Sequence, residues 1–217
     1  WPMAIGVLSL LGFQLVDAAF VSHLGTQPLA AQSFTFPVTF LMIGIQVGLG
    51  IAIAALISRA IGAGEIERSR RLGSLVLFGG TAALGVLAVI LWFARGLLFS
   101  QLGANAETLD LISPYWAVQL PANWLGAMLY FGYTLFRAHN NTKVPGTLMV
   151  LTSLLNLALD PVFIFGFGPV PAFGLQGAAI ATVIAFFIGL VILCLRLSRE
   201  NWLSLTELGP EIRRSTG

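Results

Sequence analysis

Apolar residues along the chain fall into six stretches, 1–22, 34–58, 73–94, 111–136, 144–166 and 173–195, separated by short polar segments. Each reaches the roughly 20 residues that a helix needs to cross a bilayer. Most are apolar on all sides, the pattern of membrane spans and not of amphipathic surface helices. The pattern predicts six transmembrane helices. The fourth is interrupted by Ser113, Pro114, Gln119, Pro121 and Asn123, whereas the sixth, from Phe173 to Leu195, is the most uniform. The first has no basic leading region and no small-residue cleavage site, and it contains a carboxylate, so it reads as a span and not a signal peptide. Because the chain opens on Trp1 and not Met, its natural start is expected upstream.

Composition turns this pattern into a fold class. Hydrophobic residues make up 57% of the 217 positions and charged residues 9%, against roughly 25% charged in a soluble domain. A soluble fold has too little polar chain here to coat its surface. The expected fold is therefore all-α and integral to the membrane, a six-transmembrane-helix bundle. Glycines within the spans, Gly44 and Gly48 in a G-x-x-x-G pair with Gly50, Gly79, Gly80, Gly85, Gly126 and Gly132, are expected to permit close helix contact. Cys194 stands in an apolar run and, as the single cysteine, forms no internal disulfide.

Charge supplies orientation. The second–third connection holds Arg59, Arg68, Arg70 and Arg71, the fourth–fifth holds Arg137 and Lys143, and the tail holds Arg196, Arg199, Arg213 and Arg214. The alternate connections hold only Arg95, so ten of the eleven basic residues share one side. The positive-inside rule makes that side cytoplasmic, together with the chain's start. No continuous basic face exists for nucleic acid. The tail 198–217 is polar, but Trp202, Leu203, Leu205 and Leu208 give it an apolar side, suited to the membrane surface or to leading into further sequence.

Two of the nine acidic residues lie inside spans: Asp17 in the first and Asp160 in the fifth. A carboxylate at the bilayer centre costs about 2.5–3.5 kcal/mol on insertion scales and normally faces the bundle interior. Counting back from the outer helix ends at 1.5 Å per residue puts Asp17 ~8 Å and Asp160 ~9 Å deep, one level for both. Asn156 precedes Asp160 by one turn, and Gln14 precedes Asp17 by three residues. Thr182 lies ~14 Å and Tyr115 ~6 Å down by the same count. Pro161 has no N–H to give the Leu157 carbonyl, which frees an oxygen beside the site. Alternatively, Asp160-Pro161 marks a helix break. Two chemistries suit the set: proton exchange, because paired carboxylates in a low dielectric resist double ionisation, or a hard-oxygen cation site that Na⁺ accepts. His23 and His139 lie in opposite connections, and no H-E-x-x-H, nucleophile elbow or phosphate loop is present, so no enzyme is expected.

Three stretches then place the chain in a family. Leu15–Gly25 (LVDAAFVSHLG), Arg137–Pro145 (RAHNNTKVP) and Asn156–Thr182 (NLALDPVFIFGFGPVPAFGLQGAAIAT), in this order and spacing, resemble the multidrug and toxic compound extrusion (MATE) family, in its DNA-damage-inducible branch. The resemblance implies the N-terminal lobe, 1–197, of a twelve-helix transporter made of two six-helix lobes, with 198–217 as the cytoplasmic linker to a C-terminal lobe beyond this chain. It implies a cation-coupling pocket of Asp17, Asn156, Asp160 and Thr182 with Tyr115 nearby, and Gln14, by its spacing from Asp17, is a further candidate lining residue. H⁺ or Na⁺ would be the coupling ion, with no other cofactor. The protein would be multi-pass in the plasma (inner) membrane and would exchange cations for amphiphilic or cationic drugs. Cation entry would bend or straighten span one, with Gly6 and Gly12 as its soft points. Two rivals are a lipid-linked saccharide flippase, which would need basic residues in its cavity, and a membrane scaffold or receptor module, which would not need two carboxylates at one depth.

Overall fold

In lipid every backbone N–H and C=O must find its partner within the protein, so apolar segments of this length form helices. A computed structural model describes residues 2–200, 202 and 203. It contains six long helices: α1 Pro2–Ser22, α2 Thr26–Gly62, α3 Ile66–Gln101, α4 Ala106–Ala138, α5 Lys143–Phe165 and α6 Leu175–Leu197. Within α3 the stretch Leu75–Gly80 is π-helical, a local widening of the helix by one residue. The expected linker 198–217 lies outside the described residues, apart from 198–200, 202 and 203.

Several helices outrun the apolar stretches. α2 starts at Thr26 and not at 34, and α3 runs from Ile66 to Gln101 where 73–94 was apolar. The cause is that hydropathy marks the lipid-facing part of a helix, while the hydrogen-bond ladder continues into its polar ends. Short turns make successive helices antiparallel. Each of the first four turns carries one residue in the left-handed region; in the fourth it is Asn140 at φ 58°, whose short polar side chain tolerates that conformation.

Among the described residues, α1, α2, α3, α5 and α6 are long and apolar enough to cross a membrane. α4 is the exception in composition, and its position explains why. It stands between α2, α3 and α6, with Trp116, Phe131, Leu135 and Phe136 fully buried, so it needs less lipid-grade surface. Pro114 and Pro121 lie inside it without ending it. The outer surface is apolar instead: Leu15, Val86, Phe93 and Leu195 are all exposed.

Packing follows the small residues, although not the pair expected. Gly44 and Gly48 face open space, whereas Gly50 meets Tyr130, Gly80 meets Phe131 and Gly126 meets Phe186. α1 lies along α5, where Gly6 sits against the backbone of Gly146. Gly12 has nothing near its missing Cβ. Of the two soft points, only Gly12 is unencumbered.

The α5–α6 connection positions the site. Phe167 and Val170 pair in a small bridge. Phe173 N–H donates to Phe163 O (2.9 Å) and Gly174 N–H to Ile164 O (3.1 Å), capping carbonyls that the end of α5 would otherwise leave bare. α4 has a side-chain cap at its start: Asn105 Oδ1 accepts from Thr108 N–H (2.8 Å) and Thr108 Oγ1 (2.7 Å). Asn105→Ala should cost about 1 kcal/mol, lowering the melting temperature of the detergent-solubilised protein by about 2–4 °C. Asn105→Ser should restore it.

Candidate functional site

α5 runs unbroken through Pro161, so Asp160-Pro161 marks no helix break, and Asn156 and Asp160 project one turn apart from one face. Both are buried, at 1% and 0% exposure. The α5–α6 connection brings Thr182 of α6 to the same place. The Asn156 amide lies between the other two side chains. One end stands 2.7 and 3.1 Å from the Asp160 carboxylate oxygens, and the other 2.9 Å from Thr182 Oγ1.

This geometry accepts Asp160 in either charge state. When Asp160 is ionised, the Asn156 NH₂ donates to the carboxylate and its carbonyl accepts from the Thr182 hydroxyl. When Asp160 carries a proton, the amide turns over: Asp160 O–H donates to the Asn156 carbonyl and Asn156 NH₂ donates to Thr182 Oγ1. The Thr182 hydroxyl then donates to Ala178 O at 3.0 Å. A carboxamide serves both states because it carries donors and an acceptor on opposite sides.

Asp17 of α1 occupies the second half. Its Oδ2 accepts from Gln32 Nε2 of α2 at 3.1 Å, and its Oδ1 is buried without a hydrogen-bond partner among the described residues. Tyr115 of α4 is buried, with its hydroxyl beside Gln32 and Thr35 and within electrostatic reach of Asp17. Asp17 and Asp160 lie within electrostatic reach of each other. Gln14 is exposed on α1 and stands outside this network.

Of the residues singled out from the sequence, then, Asp160, Asn156 and Thr182 form one hydrogen-bonded group and Asp17 and Tyr115 belong to a neighbouring one. Gln32 and Thr35 joined them unforeseen. The second apolar stretch, 34–58, leaves Gln32 in the first connection and puts Thr35 at the margin of the span. A signal was present: Gly25 followed by Thr26 and a proline at position 28 reads as a helix start, which would place Gln32 almost two turns inside α2. Chemically, the cluster offers two carboxylates, two carboxamides and three hydroxyls, a hard-oxygen set able to exchange a proton or hold a small cation.

Comparison with known proteins gives this cluster a setting. The family model described as MatE matches residues 2–162. A protein of Shewanella oneidensis named FAD transporter is 38% identical over 198 residues, covering 87% of this chain and 42% of that protein. Multidrug export protein MepA of Staphylococcus saprophyticus is 31% identical over 215 residues, covering 96% and 46%. The crystal structure of the Vibrio cholerae MATE transporter VcmN in the bent form superposes with a TM-score of 0.92 at 49% identity, over 100% of this chain and 48% of that one. The chain spans less than half the length of these proteins.

Proposed function

The chain belongs to the MATE family of transporters, and from that premise we propose that it forms the N-terminal lobe of a cation-coupled efflux antiporter. The observation that carries this reading is the pairing of two membrane-level carboxylates, Asp17 and Asp160, with carboxamide and hydroxyl partners borne on other turns and helices. A cation or proton arriving at either carboxylate changes which hydrogen bonds are possible across α1, α2, α5 and α6. An ion drives a conformational change only through such differences in its interaction with two states. The alternation of basic residues supports cytoplasmic ends for α2, α4 and α6 and a place in the inner membrane. A C-terminal six-helix lobe would complete the path.

Two substrate classes follow from the relatives. Amphiphilic or cationic drugs accord with the relation to a multidrug export protein, and a flavin dinucleotide with the relation to a protein named FAD transporter. The test uses the full-length protein in proteoliposomes with an imposed pH or Na⁺ gradient. Ethidium and FAD are assayed separately. Export of one of them should quicken when either gradient is applied and slow when it collapses. Export indifferent to both gradients would remove the coupling role from this cluster.

A further inference from the structure

We infer that the groove between α3 and α4, at the end of the bundle opposite the arginine-rich connections, binds an anionic phospholipid, with Arg95 as the contact to its phosphate. The inference stands apart from the ion-coupling role proposed above.

Arg95 directly follows the third apolar stretch, 73–94, and so marks the edge of the lipid-facing part of α3. It precedes Gln101, the last residue of that helix, by ~9 Å along the axis. A cationic side chain at such a depth ordinarily snorkels out toward water. This one does the reverse. Side chains lean toward the N-terminus of their helix, which here points to the bilayer centre. Nη1 donates to Trp92 O at 2.7 Å, and the guanidinium carbon stands 3.9 Å from the centre of the Trp92 ring. The indole thus holds a cation at the rim of the hydrocarbon. Among the described residues no anion answers it. Glu107 accepts from Gln27 Nε2 at 2.8 Å, Asp110 is exposed, and no carboxylate comes within ion-pair distance of Arg95. The bond to Trp92 O uses one of the five guanidinium N–H groups, which leaves a donor fork for a further acceptor.

The surroundings give that acceptor a form. A groove of about 300 Å³ lies beside the guanidinium, lined by Phe93, Arg95, Gly96, Leu109 and Ser113. Gly96 keeps it open, since nothing lies within 4 Å of where its Cβ would stand. Ser113 adds a hydroxyl that can donate. Deeper in the membrane α3 presents Val86, Val89, Ile90 and Phe93, each more than half exposed, at the spacing of one helix face. A phosphate at Arg95 therefore sits at the top of an apolar track that runs the way an acyl chain runs. A free phosphate ion would gain nothing from the track, and an acyl chain alone nothing from the cation. The planar fork of arginine matches phosphate oxygens. Because the other basic residues gather at the opposite end, the lipid belongs to the outer leaflet.

The test titrates the full-length protein in detergent with dioleoylphosphatidylglycerol and follows retained lipid by native mass spectrometry. Arg95→Gln should weaken the binding of one lipid per protein roughly five- to tenfold, the scale of a single basic side chain at a lipid phosphate. Gly96→Leu keeps the charge and fills the groove, and should weaken the same step to a similar degree. Both positions face the surface, so melting temperatures without added lipid should stay within about 2 °C of the unsubstituted protein; if one variant fails to accumulate, the other decides. Dioleoylglycerol, which has no phosphate, should bind the unsubstituted protein as weakly as phosphatidylglycerol binds Arg95→Gln. Excess inorganic phosphate should leave the bound lipid in place. Unchanged binding in Arg95→Gln would overturn the site, because the guanidinium would then serve only Trp92. Unchanged binding in Gly96→Leu would overturn it too, because diffuse positive charge and not the groove would hold the lipid. Displacement by inorganic phosphate would remove the lipid assignment.

Discussion

Gly177→Ala should sharply destabilise the lobe, and should disable it as well. A Cβ at this position, in the first turn of α6, would overlap the carbonyl oxygen and carbon of Phe163 and come within 2.7 Å of Ile164 N. All three are backbone atoms at the end of α5. A side chain could rotate away; a hydrogen-bonded helix end cannot. Relief requires α5 and α6 to separate, and overpacking of this kind costs about 3 kcal/mol or more. The melting temperature in detergent should fall by about 6 °C or more. The contact between Asn156 and Thr182, 2.9 Å long, spans the same two helices, so separation by even a fraction of an ångström degrades it. Gly96→Ala is the matched control, since nothing lies within 4 Å of its added methyl and alanine is the better helix former. Equal melting temperatures for the two variants would show that the α5–α6 contact yields without cost.

The close approach at Gly177 marks what a linear reading can and cannot reach. Six helices are legible because lipid imposes length and apolarity on each of them. α4 is the least legible because it is screened by α2, α3 and α6 and answers to them more than to lipid. Axial level is also countable, at a fixed rise per residue from each helix end. Azimuth is not. Gln14 and Asp17 are three residues apart, yet Gln14 is exposed and Asp17 bonds to Gln32. Likewise the G-x-x-x-G pair at Gly44 and Gly48 reads as a packing face and meets open space. Which side of a helix is turned inward depends on its neighbours. Gln32 shows the matching difficulty at helix ends: a polar residue just outside an apolar run looks like a connection, although the helix already encloses it. Asp160-Pro161 is ambiguous for a local reason, since the same dipeptide starts one helix and is tolerated within another. The hydrogen bonds that the connection lends to Phe163 and Ile164 help complete the end of α5, and these cannot be counted from composition.

Asp160→Asn should separate stability from transport, in the opposite sense to Gly177→Ala. The two side chains are nearly isosteric, so packing around position 160 is kept. Asp160 is fully buried, and an ionised carboxylate in that setting carries a desolvation cost of several kcal/mol that is only partly offset by its partners. A neutral amide removes the cost, so the melting temperature should hold or rise. Transport should go the other way. With an amide at 160 there is no charge to neutralise, and Asn156 no longer has to turn over when an ion arrives. Gradient-driven export should fall by roughly a hundredfold or more, the scale on which removal of a positioned proton-exchanging group acts. Asp17→Asn should show the same loss with less gain in stability, because Asp17 is less buried. A buried charge retained at a cost in stability is the mark of a group kept for its chemistry. If Asp160→Asn instead lost stability and activity in step, or exported at the unsubstituted rate, Asp160 would be a structural anchor for α5 and the ion would have to act elsewhere.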